Sequence, residues 1–103
     1  MTKSIDMFIV YNLRPTYHEL GEYEFKVVLS PDKFKNSHDS DIVVLDSDGG
    51  RIATTVQKWG RKINCVMSIG CEVPDGVATA KMALRLKDGT EVLSSFSFWI
   101  VKP

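Results

Sequence analysis

Lys81-Met82-Ala83-Leu84-Arg85-Leu86-Lys87 runs into Asp88-Gly89 and out through Thr90 into Glu91-Val92-Leu93-Ser94-Ser95-Phe96-Ser97-Phe98-Trp99-Ile100-Val101. This stretch decides the fold. Met82, Leu84 and Leu86 alternate with Lys81, Arg85 and Lys87, and Phe96, Phe98 and Ile100 alternate with serines and Trp99. A period of two puts one set on a buried face and the other in solvent, the pattern of a half-buried strand. Asp-Gly between two such runs is tight-turn chemistry, because Gly takes positive φ without a Cβ clash and Asp bonds its own backbone. The stretch predicts a β-hairpin.

Two further Asp-Gly steps, Asp48-Gly49 and Asp75-Gly76, lie beside other β-rich runs. Upstream, Tyr23, Phe25, Val27 and Leu29 alternate with Glu22, Glu24 and Lys26, so Glu22–Leu29 reads as a strand that Ser30-Pro31-Asp32 ends. Phe34 is expected to plug the end of the core. An earlier strand is expected over Ile5–Asn12, with Met7, Ile9 and Tyr11 on one face, broken by Arg14-Pro15-Thr16. Ile42–Leu45 is a short apolar strand. Asp46–Gly50 then turns the chain, Arg51–Lys58 returns, and Trp59-Gly60 turns again. Ile63–Ile69 carries Ile63, Cys65, Met67 and Ile69 in phase, and Pro74-Asp75-Gly76 leads into Val77–Leu86. About seven short strands with frequent turns and no convincing helix predict an antiparallel β-sandwich. Its buried set should include Tyr23, Phe25, Val27, Met82, Leu84, Phe96 and Phe98.

The 103 residues suit one domain, 1–103. Hydrophobic residues make up 44% and charged residues 25%, enough for a core with a solvated surface. The formal net charge is zero, so global electrostatics favour neither nucleic acid nor an anionic membrane as partner. The apolar run Met7–Tyr11 is too short for a signal-peptide core, and no stretch approaches the length of a membrane span. Synthesis and first folding in a cytoplasm are therefore expected. Cys65 reads as a small buried hydrophobe and Cys71 as a loop or strand-edge thiol, with a short-loop disulfide between them as the alternative.

Ser40-Asp41-Ile42-Val43-Val44-Leu45-Asp46-Ser47-Asp48-Gly49, followed by Ala53-Thr54-Thr55-Val56, resembles the strand–turn–strand hairpin of bacterial and phage immunoglobulin-like modules. Pro74-Asp75-Gly76-Val77-Ala78-Thr79-Ala80-Lys81, continued through Asp88-Gly89 to Phe96–Val101, is similar to their closing strand pair. The resemblance covers roughly residues 21–101 and implies an immunoglobulin-like antiparallel β-sandwich. Such modules occur as repeats in bacterial surface proteins and as virion modules in tailed phages.

No residue pattern assembles a catalytic centre, and neither cofactor nor metal is expected. Asp46-Ser47-Asp48-Gly49 resembles part of a calcium loop but lacks the third carboxylate and the downstream Glu, and it reads as a turn. His18 and His38 are isolated, Ser94, Ser95 and Ser97 lie on a strand, and no phosphate loop is present. Two surfaces remain. In Lys58-Trp59-Gly60-Arg61-Lys62 a Trp sits at a turn among cations, and no acid occurs between Arg51 and Lys62. Trp59 there is either a docking surface or a lid over the sandwich end. On the last strand, if Phe96, Phe98 and Ile100 face the core, Leu93, Trp99 and Val101 face outward. Trp99 then marks an interface or packs under the N-terminal segment.

The expected function is a non-enzymatic structural or binding module. The setting expected from the resemblance is a virion, as a capsid decoration or other accessory protein assembled in the host cytoplasm. The alternatives are a bacterial cytoplasmic interaction adaptor and an adhesion module from a longer surface protein. The expected partner is a protein surface, such as a capsid or tail lattice or a second copy of the chain, with no nucleic acid and no membrane.

Overall fold

Ten consecutive residue pairs, from Gly76↔Ile100 to Arg85↔Glu91, join the last two strands as the alternation requires. Their turn holds Gly89 at φ +90°. The Leu86 N–H donates to Thr90 O at 2.8 Å, the Gly89 N–H to Leu86 O at 3.0 Å, and the Thr90 N–H to the Asp88 carboxylate at 2.8 Å. This is a type I turn followed by a left-handed Gly, a common three-residue hairpin loop.

The computed structural model describes residues 8–103 in full and, before them, the backbone of Thr2–Ile5. In chain order the elements are β1 (Thr2–Ile5), β2 (Phe8–Tyr11), β3 (Thr16–Tyr17), β4 (Gly21–Leu29), α1 (Pro31–Lys35), β5 (Ser37–Leu45), β6 (Thr54–Trp59), β7 (Lys62–Ile69), β8 (Gly76–Leu86) and β9 (Glu91–Ile100). One sheet runs β1-β2-β4-β7-β6 and the other β3-β9-β8-β5. The orders β2-β4-β7-β6 and β5-β8-β9 reproduce the A-B-E-D and C-F-G sheets of an immunoglobulin domain. β1 is an additional strand outside the first of these. The pairing is antiparallel except for the two-residue β3, which lies parallel to β9. The fold is an immunoglobulin-like β-sandwich, with more strands than the seven expected and one parallel pair.

The core fills the space between the sheets. Phe96 meets Phe8 at 6.1 Å and Phe25 at 5.9 Å, both edge-on, and Phe98 meets Tyr17 edge-on at 5.3 Å. Ile63, Cys65, Met67 and Ile69 from β7 face Ala78, Ala80, Met82 and Leu84 from β8 across this layer, all buried. Each large side chain so buried contributes roughly 1.5–3 kcal/mol. Of the expected set, Phe25, Val27, Met82, Leu84, Phe96 and Phe98 are buried, while Tyr23 is half-buried and donates its hydroxyl proton to Glu19 O at 2.7 Å.

Three expectations fail. The stretch Ile5–Asn12 is not one strand: Ile5 ends β1 and lies opposite Phe8, which begins β2, and in β2 Ile9 and Tyr11 share the outer face while Phe8 and Val10 point into the core. The cross-strand partners of β2 settle this, since Phe8 sits opposite Leu29 and Val10 opposite Val27, and opposed residues share a face. Met7 lies outside the described residues. Second, Phe34 is no plug. It stands exposed on α1, a single turn that buries nothing, and Phe8 and Leu29 occupy that end of the core. Third, Asp46–Gly50 does not join paired strands. β5 and β6 belong to different sheets, and the bridge Leu45↔Arg51 is their local contact before buried Ile52 carries the chain across. Here too a left-handed Gly (Gly49, φ +83°) closes the turn, with Asp46 Oδ1 accepting the N–H of Asp48 and of Gly50 at 2.9 and 3.0 Å.

Candidate functional site

The outward face of β9 follows from its phase. With Phe96, Phe98 and Ile100 buried, Leu93 is 71% exposed and Trp99 53% exposed. Val101, just beyond the strand, is exposed as well. Cross-strand pairing sets Trp99 opposite Val77 and Leu93 opposite Ala83, with Ser97 opposite Thr79 and Ser95 opposite Lys81 between them. β5 adds Val43 opposite Lys81 and Asp41 opposite Ala83. Around Leu93 these side chains enclose a shallow depression of about 330 Å³, lined by Asp41, Val43, Lys81, Ala83, Leu93 and Ser95. Its border is charged, with one cation set among three carboxylates. Arg85 meets Asp39 Oδ2 and Asp41 Oδ2, each at 3.0 Å, and Glu91 Oε2 at 3.6 Å.

At Trp99 the backbone is covered and the ring is not. Its N–H donates to Pro15 O at 2.9 Å through the β3 pairing, while the indole remains half-exposed. The Val101 N–H donates to Tyr17 O at 3.0 Å. The end of the chain is then anchored by Lys102, whose N–H and ammonium both donate to Asp75 Oδ1, at 3.0 and 2.9 Å. These contacts, the ammonium first, hold the Asp75 carboxyl below the usual carboxylate range.

The basic turn occupies the other end of the sandwich. Lys62 pairs with Val28 where β4 finishes, whereas Trp99 neighbours Ile100, the partner of Tyr17, whose ring meets Tyr23 near the start of β4. The two surfaces are therefore separate. Trp59 is 60% exposed, so it is not a lid. Gly60 takes φ +57° at the first central position of the two-residue loop. Two of the three cations are engaged within the fold. The Lys58 ammonium bonds the Ser40 carbonyl and lies 3.4 Å from Asp39 Oδ1. Arg61 donates from its guanidinium to Leu29 O at 3.1 Å. Lys62 is exposed and makes no ion pair with a described residue.

Elsewhere the chemistry-bearing groups are scattered. Among the described residues no group of three or more His, Cys, Asp or Glu could hold a metal ion. The Asp46 carboxylate is occupied by its own loop. His18 Nδ1 lies 3.1 Å from Val101 O, and His38 is exposed on β5. Cys65 and Cys71 are both free thiols; Cys71 is exposed, while Cys65 is sealed in the core, where burial pushes its thiol up to about 12. No helix among the described residues is long and apolar enough to cross a membrane.

Sequence reasoning passed over one group. Arg14, read as part of a strand break, carries its guanidinium over the Tyr23 ring at 5.0 Å and the Tyr17 ring at 5.8 Å. Tyr17 is fully buried. The spacing of Arg14, Tyr17 and Tyr23 gives no period to detect, because the chain changes sheets between the first and the last.

No family model matches the chain, and no curated protein matches it in sequence. Its fold is shared by solved structures. A DUF4785 family protein from Legionella pneumophila superposes with a TM-score of 0.64 at 12% identity over 92% of this chain, which spans only 28% of that protein. CopC from Methylosinus trichosporium gives 0.58 at 16% identity, covering 86% of this chain and 84% of that one. The filamin domain of Lin-41 gives 0.57 at 15% identity, covering 84% and 82%. At these identities the likeness is one of architecture, and it agrees with the strand order in assigning the chain an immunoglobulin-like sandwich.

Proposed function

We propose that this chain is a non-catalytic module that docks onto a protein through the outer face of β9. One observation carries the reading: Leu93 and Trp99 are large apolar side chains held exposed on a regular strand whose other face sends Phe96, Phe98 and Ile100 into the core. Exposed aromatic and aliphatic groups on a rigid sheet are the material of interface hot spots. The charged side chains around Arg85 are exposed and already paired with one another, so they suit a rim better than an energetic centre. The basic turn is the weaker candidate, because Lys58 and Arg61 are used inside the fold.

The finer setting, an accessory protein on a virion lattice made in a host cytoplasm, rests on the resemblance of Ser40–Val56 and Pro74–Val101 to phage and bacterial modules. None of the three similar structures reported above is described as a phage protein. Purified capsid shells are the partner that tests it, and the bare protein in sedimentation tests the alternative of self-association. Trp99→Ala is expected to weaken binding at least about tenfold and leave its salt dependence unchanged. Arg61→Ala with Lys62→Ala is expected to have a small effect, confined to association rate. Wild-type binding by Trp99→Ala with an intact fold would eliminate the β9 face.

A further inference from the structure

A polar cavity of about 440 Å³ opens where the chain crosses from β2 to β3, lined by Asn12, Arg14, Tyr17, Glu22, Tyr23 and Glu24. Its volume is within the range of small-ligand pockets. Tyr17 is 1% exposed, and its hydroxyl accepts the Arg14 N–H at 3.2 Å. No described residue accepts the hydroxyl's own proton. A buried O–H donor without an acceptor is costly, and here it borders an open polar space. Burial raises the Tyr17 pKa above its ordinary value, so the group stays protonated and able to donate.

Arg14 supplies the second donor. Stacking on Tyr23 and Tyr17 fixes the guanidinium without neutralising it, and no carboxylate of the described residues lies within 4.0 Å of it. A planar fork beside a hydroxyl donor matches a carboxylate. Glu22 and Glu24 complicate a plain anion site. They line the same cavity from β4, and Glu24 is only loosely shared with Lys26 at 3.8 Å. An isolated anion would meet two negative charges there, and an isolated cation would meet Arg14.

We propose that this cavity binds a carboxylate that carries a cation beside it, the chemistry of a free basic amino acid or of a polypeptide C-terminus ending in lysine or arginine. The carboxylate takes the Arg14 fork and the Tyr17 proton, and the cation lies toward Glu22 and Glu24. This site is separate from the β9 face and does not depend on the docking reading.

The test is a titration of the isotope-labelled full chain, followed by backbone amide shifts, with four probes: L-lysine, lysine carboxamide, acetate, and an acetyl-capped tripeptide ending in lysine. Saturable shifts at Asn12, Arg14, Tyr17 and Tyr23 are expected with L-lysine or the tripeptide. The tighter of these two identifies the source as amino acid or chain terminus. The carboxamide and acetate should each bind at least about tenfold more weakly, as should Arg14→Lys and Tyr17→Phe with the best probe. Should Tyr17→Phe fail to fold, Arg14→Lys decides, since its side chain is exposed. Equal binding of acid and carboxamide, equal binding of acetate, or no saturation well above a millimolar would each overturn the proposal.

Discussion

The Lys58 ammonium on β6 bonds the main-chain carbonyl of Ser40 on β5. β5 and β6 are the terminal strands of the two sheets, so one side chain ties two free edges together. Lys58→Met should destabilise the domain by about 1 kcal/mol, because a half-exposed charged donor contributes little more than an ordinary hydrogen bond. It should also increase self-association, since an uncovered edge offers unpaired carbonyls to other chains. Urea denaturation and sedimentation would measure the two effects. Unchanged stability would show that the bond does not hold the edges.

Phe98 lies in the middle of the core against Tyr17. Phe98→Ala should cost roughly 3–5 kcal/mol through lost transfer energy and the cavity left behind. In a domain of this size that is a large part of the total stability. A loss below about 1 kcal/mol in urea denaturation would contradict the burial described.

Gly76 begins β8 at φ +137°, and a Cβ built there would stand 2.7 Å from the Cβ of Ser47. Both backbone strain and close approach therefore demand glycine. Gly76→Ala should lower stability by about 1–3 kcal/mol. Adding Ser47→Gly should recover the steric part and leave the strain, so the double variant should fall between wild type and the single variant. A double variant no better than the single one would refute the contact.

Three carboxyls are held below their ordinary range: Asp39 by the Ser40 N–H and then Lys58, Asp75 by Lys102, and Asp88 by the Thr90 N–H. A carboxyl with a depressed folded pKa adds stability that is fully present above its unfolded value, about 3.9 for Asp, and is lost as pH falls through the folded value. Stability should thus be insensitive to these groups from neutral pH down to about pH 5 and should fall below about pH 4. Asp75→Asn should flatten the fall. Urea midpoints at several acidic pH values would check it, and an unaltered slope in Asp75→Asn would remove Asp75 from the account.

The β8–β9 hairpin was legible because polar and apolar residues alternate along both arms and Asp88-Gly89 sits between them. The same alternation made the exposure of Leu93 and Trp99 legible. Phe8–Tyr11 offered no such guide: all four residues are apolar, so only pairing with β4 reveals which face is buried. Asp46–Gly50 misled for a different reason. Its hydrogen bonding is nearly that of the Leu86–Thr90 turn, yet one joins paired strands and the other crosses between sheets. The difference lies just past Ile52, whose N–H still donates to Val44 O at 2.9 Å on β5 while its side chain enters the core; from Thr54 the chain pairs with β7 in the other sheet. At the basic turn, residue types were visible but their partners were not. Ser40 and Leu29, which engage Lys58 and Arg61, are distant in sequence. The Arg14 cavity was hidden because it forms only once β3 has crossed to the other sheet.

The parallel lie of β3 and β9 has a mechanical consequence. The segments pair at Thr16↔Trp99 and Tyr17↔Ile100, and the ladder extends past both ends of β3 through Trp99 N–H to Pro15 O and Val101 N–H to Tyr17 O. In a parallel pair, tension drawn toward the start of one strand and the end of the other loads such bonds together, in shear. An antiparallel hairpin such as β8–β9, drawn apart from its open end, surrenders its bonds one after another. Stretched along its chain, this domain would meet resistance at the short β3–β9 clasp, so two residues that add little to the sheet's area govern the force at which it yields.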